Sequence, residues 1–361
     1  MQLKKLFLIL VMIFFGLQAF ASGEKIVDST EEKLNIPELI MGHIGDEYEW
    51  HITTVNNHPI SIPLPVIVRG IDGKWHIFSS SKLHGETSDY QGFYISHSEK
   101  YKGKIVQKNE TGEELRPLDF SLTKNALSLL INSTILVLIV LFCAKWYKNR
   151  KAENSNPKGF VALMEMFIMN IVDDIIKPCI GKNYKRYTPY LLVVFFFIFI
   201  NNIMGIIPIF PGGANITGNI AITFTLAIFS FIIINIFGTK EYWKEIFWPD
   251  VPTWLKIPIP IMPVIEIIGM FTKPFALMIR LFANILGGHS VVLGLLCVIF
   301  VTAGLGTAIN SSMSVMSVIM TVFVDFIEIL VAYIQAYVFT ILSAVFIGLS
   351  QVEPHHEKIK N

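Results

Sequence analysis

The class of fold is decided by the stretch Phe275-Ala276-Leu277-Met278-Ile279-Arg280-Leu281-Phe282-Ala283-Asn284, which places one charged side chain inside a long apolar segment. An arginine keeps its proton in a protein, so this charge persists wherever the segment lies. At the centre of a membrane-spanning helix it costs on the order of 2.5–3.5 kcal/mol on insertion scales. The sequence therefore predicts that Arg280 has a partner or a function.

The composition of the chain is that of a membrane protein. Of its 361 residues, 53% are hydrophobic and only 16% are charged, which departs from the average soluble domain. The formal net charge of +1 gives no indication of a nucleic-acid partner. The cysteines Cys143, Cys179 and Cys297 lie in or beside apolar segments without metal-ligand spacing, so they are interpreted as buried small hydrophobic residues. No metal or cofactor is predicted.

Residues 1–21 have the pattern of an export signal. Lys4 and Lys5 precede an apolar run from 6 to 17, and Ala19-Phe20-Ala21 forms an A-x-A cleavage site. The competing interpretation is a first transmembrane helix, which is disfavoured by a length below 20 apolar residues and by the small-residue site. Cleavage after Ala21 would place the following chain outside the cytoplasmic membrane.

Residues 22–122 are polar and mixed in charge, and they are predicted to form a small β-rich or α+β domain outside the membrane. Short alternating segments such as Tyr48-Glu49-Trp50-His51-Ile52 are separated by turn signals such as Asp72-Gly73. A helix is predicted around residues 28–44. Six of the nine histidines fall in this domain without His-x-His or i, i+4 spacing, which favours solvated surface histidines over metal ligands.

The rest of the chain predicts an all-α polytopic membrane protein with five transmembrane segments. The stretch 160–180 carries too many charges for a span and is predicted to be an interfacial amphipathic helix. The last two segments are longer than an apolar core of about 30 Å requires, so they are expected to form a long, strongly tilted hairpin. The membrane domain is predicted at 123–351 and a cytoplasmic tail at 352–361. The five segments run from about 126 to 144, 191 to 209, 216 to 237, 263 to 303 and 313 to 350.

The distribution of charge between the loops predicts the orientation. Basic residues cluster at 145–158, 182–186 and 240–256, whereas the loops at 211–215 and 304–312 carry no charge. Basic loops face the cytoplasm by the positive-inside rule. We therefore expect a multi-pass protein of the bacterial inner membrane, with the N-terminal domain outside and the C-terminus inside.

The two long segments hold almost all of the ionisable groups of the apolar region, and helical spacing places each set on one face. Snorkelling toward the headgroups near a helix end explains Glu266 and extends to Asp325. It does not explain Arg280 or Glu328. The first segment carries Glu266, Lys273, Arg280 and Asn284, spaced 7, 7 and 4, and the second carries Asp325, Glu328 and Gln335, spaced 3 and 7.

Two linked motifs in these segments carry a resemblance to a known family. The run Arg280-Leu281-Phe282-Ala283-Asn284-Ile285-Leu286-Gly287-Gly288-His289, followed by Ile334-Gln335-Ala336-Tyr337-Val338-Phe339-Thr340, resembles subunit a of the F-type ATP synthase. The resemblance covers about residues 125–351, including Lys273-Pro274, and does not extend to residues 22–121. It implies a subunit that is non-catalytic on its own, with the c-ring, the subunit b peripheral stalk, the remainder of the complex and the lipid bilayer as partners.

The resemblance also implies roles for three residues in a proton path. The arginine that matches Arg280 faces an essential carboxylate on each passing subunit of the c-ring. A fixed positive charge stabilises the ionised form of a nearby carboxylate. His289 and Glu328 match an exchangeable acid/histidine pair. The predicted orientation places both on the outer side, about 13 Å and about 10 Å from the level of Arg280 in helical geometry.

The remaining polar residues complete two expected access paths. Glu266 lies toward the cytoplasm, and Asp325 is expected in an access path together with Glu328. Asn284 and Gln335 are expected to supply fixed hydrogen bonds near the arginine rather than protons.

The position of His289 leaves alternatives open. Nine residues from Arg280, an ideal helix turns His289 to the opposite face. Either Gly287-Gly288 distorts the helix locally, or His289 reaches the channel from behind. A histidine satisfied against a neighbouring helix is the third interpretation.

Two other classes of protein remain to be distinguished from a stator subunit. A stand-alone ion-coupled secondary transporter would usually show internal repeats and broken helices at matching places, and the sequence contains no such repeat. A membrane-anchored sensor built around residues 22–121 would not need Arg280, Glu328 and Gln335. Co-isolation with a c-ring would favour the stator, and transport by the isolated chain would favour the transporter.

Overall fold

A computed structural model describes most of the chain from residue 45 to residue 351. The predicted signal at 1–21, the predicted helix at 28–44 and the predicted tail at 352–361 lie outside the described residues. The chain divides into two compact units, one made of residues 1–132, 204–215 and 293–322 and the other of 133–203, 216–292 and 323–361. The described residues are 45–55, 58–83, 89–98, 100–109, 112–148, 157–207, 210–248 and 261–351.

Small antiparallel sheets form the N-terminal part of the first unit, which confirms the predicted β-rich region. The strands are β1 (Glu49–Val55), β2 (His58–Pro63), β3 (Pro65–Arg69), β4 (Trp75–Ser79), β5 (Phe93–Ile95), β6 (Ile105–Lys108), β7 (Glu114–Leu115) and β8 (Leu118–Asp119). They pair as β1-β2, β4-β3-β8 and β5-β6-β7. Alternation along β3 buries Val66 and Val68 in a core that also holds Phe78, Phe93 and Ile105.

The remainder of the described chain is almost entirely helical. The α-helices are α1 (Lys124–Lys148), α2 (Phe160–Asn170), α3 (Lys177–Ile180), α4 (Tyr184–Ile206), α5 (Ile220–Ile236), α6 (Lys240–Phe247), α7 (Ile261–Val301) and α8 (Thr307–Ser350). A π-helical turn at Ile171–Ile176 joins α2 to α3, and a short 3-10 turn at Thr302–Leu305 lies between α7 and α8.

The described helices confirm a polytopic membrane protein. Stretches at 124–148, 160–206, 262–305 and 307–350 are each long and apolar enough to cross a membrane. Helices α5 and α6, bent by 101° at a short break, would together add a fifth span. The count of five spans and the interfacial position of residues 160–180 stay predictions.

Helix α7 is as long as predicted, whereas α8 is longer than its predicted segment and the connection between the two is shorter. Helix α7 has 41 residues and α8 has 44. Helix α8 begins at Thr307 rather than near Met313, because Gly306 turns the chain at a φ of 102°. The Asn310 amide then donates to the Gly306 carbonyl at 3.0 Å. Residues 307–312, four of which are polar, therefore form the first turns of the helix instead of a loop.

Close backbone packing holds the C-terminal end of α8 in the second unit. A Cβ built on Gly348 would lie 2.0 Å from the Cys179 carbonyl oxygen of α3, so only glycine permits this approach. Beyond the end of α5, the Thr239 amide donates to the Ser350 carbonyl at 2.9 Å. Fully buried Ile171, Ile175 and related apolar side chains fill the core around these elements. Helix α8 is therefore held in one position along its axis.

Candidate functional site

A buried carboxylate marks the contact between α7 and α8 in the second unit. Glu328 of α8 is 5% exposed. The Nδ1 atom of His289 on α7 lies 3.2 Å from Glu328 Oε1, which is within ion-pair distance. The arrangement is not that of a hydrogen bond, because Oε1 of Glu328 receives no hydrogen bond from any described residue. The two side chains are thus in contact and can exchange a proton after a small rotation or through one water.

Glycine at position 288 creates the space for this contact. A Cβ built on Gly288 would lie 2.9 Å from Glu328 Oε1 and 3.2 Å from its carboxyl carbon. Gly287, one residue earlier, has no atom within 4 Å of the equivalent position. The Glu328 carboxyl group therefore packs directly on the backbone of α7 at residue 288.

Helix α7 runs without a break through Gly287 and Gly288, so a local distortion does not explain the position of His289. Arg280 and Asn284 are exposed on the surface of the chain, whereas His289 turns toward α8. Nine residues of regular helix separate the two directions by about half a turn. The structure thus places Arg280 and His289 on different sides of the same helix.

Arg280 lies beside an open, largely apolar pocket of about 310 Å³. The ammonium group of Lys273, one of the lining residues, lies 5.5 Å from the centre of the Phe346 ring. Among the described residues, no acidic side chain forms an ion pair with Arg280. An exposed, permanently charged side chain at this position is available to an anionic group from outside the chain. The other lining residues are Thr272, Ala276, Leu277 and Leu342.

The three polar residues of α8 that the sequence predicts as site residues lie on its buried face. Asp325 is 3% exposed and Gln335 is 6% exposed, so both share with Glu328 the side of α8 that packs inside the chain. On α7, Glu266 is half-buried near the first turn. The structure therefore brings His289, Glu328 and the neighbouring Asp325 into one region. In the described chain, no ion pair links these residues to Arg280.

Sequence reasoning missed a buried amide on α4. The side-chain nitrogen of Asn202 donates to the Ala332 carbonyl of α8 at 3.3 Å, and the Thr217 hydroxyl donates to the Asn202 side-chain oxygen at 2.7 Å. Asn202 and Thr217 are each 2% exposed. Ala332 lies between Glu328 and Gln335, so this link orients the part of α8 that carries both. The signal was Asn201-Asn202 inside an apolar segment, where amide side chains are costly unless they have partners.

Comparison with known proteins supplies independent information. Residues 130–348 match the family model described as ATP synthase A chain. Residues 39–120 match a different family, described as a domain of unknown function (DUF8433). The membrane part and the N-terminal part of the chain thus match separate families.

Many curated proteins are similar to the chain over most of its length. A protein of Chlorobium phaeobacteroides named ATP synthase subunit a is 40% identical over 243 residues, covering 66% of this chain and 67% of that protein. Proteins of the same name from Chloroherpeton thalassium and Myxococcus xanthus are 37% and 38% identical. The match to the Chloroherpeton thalassium protein covers 76% of this chain and 76% of that protein. The match to the Myxococcus xanthus protein covers 68% of this chain and 80% of that protein.

Proposed function

This chain belongs to the ATP synthase A chain family, and we propose that it is the stator subunit a of an F-type ATP synthase. In this role it provides two proton half-channels and a fixed arginine beside the rotating c-ring. It couples transmembrane proton flow to ATP synthesis without being catalytic on its own. Its partners are the c-ring, the subunit b peripheral stalk and the rest of the complex. The N-terminal domain lies outside the inner membrane and the C-terminus lies in the cytoplasm.

The exposed Arg280 is the observation that carries this proposal. It is exposed on a membrane helix and forms no ion pair within the described chain, so its counter-ion comes from another subunit. A c-ring carboxylate that arrives protonated is ionised beside the guanidinium, because the positive charge stabilises the anion. Arg280 keeps its own proton and cannot relay one, so it also blocks a direct leak between the two half-channels.

The contact of His289 with Glu328 supports an outer half-channel. Both groups titrate, and their atoms lie 3.2 Å apart in a largely buried place, which suits a short proton relay. Asp325, one turn earlier on α8, extends the relay along the buried face. On the cytoplasmic side, Glu266 contributes to the inner half-channel.

Two amides complete the proposed path. Asn284 lies one turn after Arg280 on the exposed face of α7, and Gln335 lies on the buried face of α8. An amide does not titrate, so these side chains provide fixed hydrogen bonds near the arginine and carry no proton. Their role is to orient the arginine and the passing carboxylate.

The proposal is tested by replacing Arg280 in the assembled complex. We expect Arg280→Ala to abolish ATP-driven proton pumping in inverted membrane vesicles, while the chain still co-purifies with the c-ring. Arg280→Lys is the matched control for charge, and it retains a cation that lacks the guanidinium geometry. Normal pumping by Arg280→Ala would refute the mechanism. Transport activity of the isolated chain, without a c-ring, would instead identify a secondary transporter.

A further inference from the structure

One face of the sheet β4-β3-β8 in the N-terminal domain is apolar and exposed. The register pairs Ile67 directly with Ile77, and the Phe120 amide donates to the Ile67 carbonyl at 2.9 Å. The rings of Trp75 and Phe120 lie 5.7 Å apart, so the apolar side chains are contiguous across the strands. We call this surface the apolar sheet face, and it consists of Ile67, Trp75, Ile77, Leu118 and Phe120.

Four of the five side chains of this face are more than half exposed. Ile77 is 73% exposed, Phe120 67%, Leu118 60% and Trp75 54%. The opposite face of the same sheet already packs on the core of the domain. The apolar sheet face is therefore not needed for the core, and a contiguous exposed patch of this kind marks an interaction site.

Positive charge surrounds the apolar sheet face. Arg69 lies on it, paired with Trp75 and Leu118 across the strands, and Lys74 and Arg116 are exposed beside it. The two acidic residues of the same segments are already engaged. Asp72 accepts hydrogen bonds from the Lys74 amide and contacts His76, and Asp119 accepts a hydrogen bond from the Tyr48 hydroxyl. Three basic side chains therefore lie on or beside the face, against one exposed carboxylate, Asp72.

The sheet is joined to the first membrane-spanning helix by a short, well-fixed connection. Strand β8 ends at Asp119 and α1 begins at Lys124, so only residues 120–123 lie between them, and the connection spans at most about 18 Å of extended chain. The Leu122 amide donates to the Pro65 carbonyl at 3.1 Å, and the Lys124 amide donates to the Glu47 carbonyl at 2.9 Å. Along α1, exposed apolar residues begin at Leu130. The apolar sheet face thus lies close to the point where the chain enters the bilayer.

We propose that the apolar sheet face rests on the bilayer surface next to α1 and binds anionic phospholipid headgroups. Tryptophan favours the headgroup level, phenylalanine and leucine are typical of the apolar face of interfacial segments, and arginine and lysine beside them favour anionic lipids. A surface that lies in the interface buries its apolar side chains beneath the headgroups. This role requires only that α1 spans the membrane, so it does not depend on the function proposed above.

The test uses the emission of Trp75 in the full chain, reconstituted into vesicles of phosphatidylcholine and phosphatidylglycerol. Subtracting the spectrum of Trp75→Phe from that of the unchanged chain isolates the Trp75 component. We expect lipids brominated near the headgroup end of the acyl chain to cause loss of this component. Subtracting the spectrum of Trp50→Phe in the same way gives the Trp50 component, which is the matched control. Trp50 is 3% exposed, and its ring lies 5.0 Å from the ring of Phe210. The Trp50 component should not be quenched.

A second arm tests the contribution of charge. In the triple variant Arg69→Gln, Lys74→Gln, Arg116→Gln, the quenching of Trp75 in mixed vesicles should fall to the level seen with phosphatidylcholine alone. Hydrogen exchange of residues 75–79 and 118–120 in the unchanged chain gives a readout that needs no variant, and protection in vesicles is expected.

Three results would overturn the proposal. The first is a Trp75 component as insensitive to the brominated lipids as that of Trp50. The second is protection of the sheet only in the assembled complex, which would assign the face to a protein partner. The third is protection that is lost when residues 24–44 are deleted behind the intact signal, since the face would then be covered by the preceding part of the chain.

Discussion

Glu114 in the N-terminal domain and Glu328 in α8 show two ways of accommodating a carboxylate. Glu114 accepts hydrogen bonds from the hydroxyls of Ser98 at 2.6 Å, Ser96 at 2.8 Å and Tyr94 at 3.0 Å. These hydroxyls, Ser98 first, hold the pKa of Glu114 below its ordinary value. Among the described residues, no such set of hydroxyl donors surrounds Glu328, and the Nδ1 atom of His289 lies 3.2 Å from its Oε1.

The difference separates a structural carboxylate from one suited to moving a proton. Hydroxyl donors stabilise one charge state and keep it, so Glu114 links β5 and β7 as a fixed anion. A histidine beside a buried carboxylate offers a partner that can both give and take a proton. The surroundings of a carboxylate, rather than its residue type, therefore indicate its role. The following predictions test this comparison.

We expect the largest effect from Glu328→Gln. The amide retains the shape of the side chain but cannot carry a proton, so passive proton flux through the membrane sector should fall by roughly 100-fold, the low end for a positioned proton-transfer group. Flux is measured in vesicles stripped of the peripheral ATPase, with co-purification of the c-ring as the check on assembly. The matched control is Glu114→Gln, which should leave flux unchanged. Equal flux in both variants would remove Glu328 from the path.

His289→Gln should have a smaller effect than Glu328→Gln. The variant retains a polar side chain near Glu328 but removes the titratable ring, so we expect a loss of flux of about tenfold, less than that for a full general-acid group. The double variant, His289→Gln with Glu328→Gln, distinguishes a relay from two independent sites. Losses that multiply would show that the two residues act separately and would contradict a shared relay.

A modest effect is expected from Gly288→Ala. The added methyl group would lie 2.9 Å from Glu328 Oε1 and forces the carboxyl group away from α7. Because the carboxyl group is the far end of a flexible side chain, it can shift and assembly should persist, while its displacement from His289 should lower the flux severalfold. Gly294→Ala on the same helix is the control, because no atom lies within 4 Å of the position of its new methyl group. Identical flux in the two alanine variants would show that the close packing at residue 288 does not matter.

No effect on proton flux is expected from Glu114→Gln in the N-terminal domain, and its effect is on local stability instead. Because the folded state lowers the pKa of Glu114, its contribution to stability is present above the unfolded pKa and is lost as the pH falls through the folded pKa. The protection factors of amides in β5–β7, which are exchange rates corrected for the intrinsic slowing in acid, should therefore fall as the pH is lowered, and Glu114→Gln should show the lower protection already at neutral pH. A variant with the same acid sensitivity as the unchanged chain would contradict this explanation.

Much of the architecture could be predicted because it depends on local properties of the chain. The family resemblance drawn from the Arg280 and Gln335 motifs is confirmed, as are a β-rich N-terminal region and a polytopic helical part. The predicted start of α8 is six residues too late, because residues 307–312, four of which are polar, resemble a loop until the 3-10 turn at Thr302–Leu305 and Gly306 are seen to complete the connection. The roles of the site residues stay predictions.

By itself, the sequence determined that this is a membrane protein with one permanent charge in a long apolar helix. Hydrophobic length and helical spacing are properties of a single segment, so they can be read without knowing what the segment packs against. Only the tertiary structure decided that His289 meets Glu328 over Gly288, and that Asn202 donates to the backbone of α8. Those contacts depend on how neighbouring helices are rotated against one another, and periodicity within one helix does not specify that rotation.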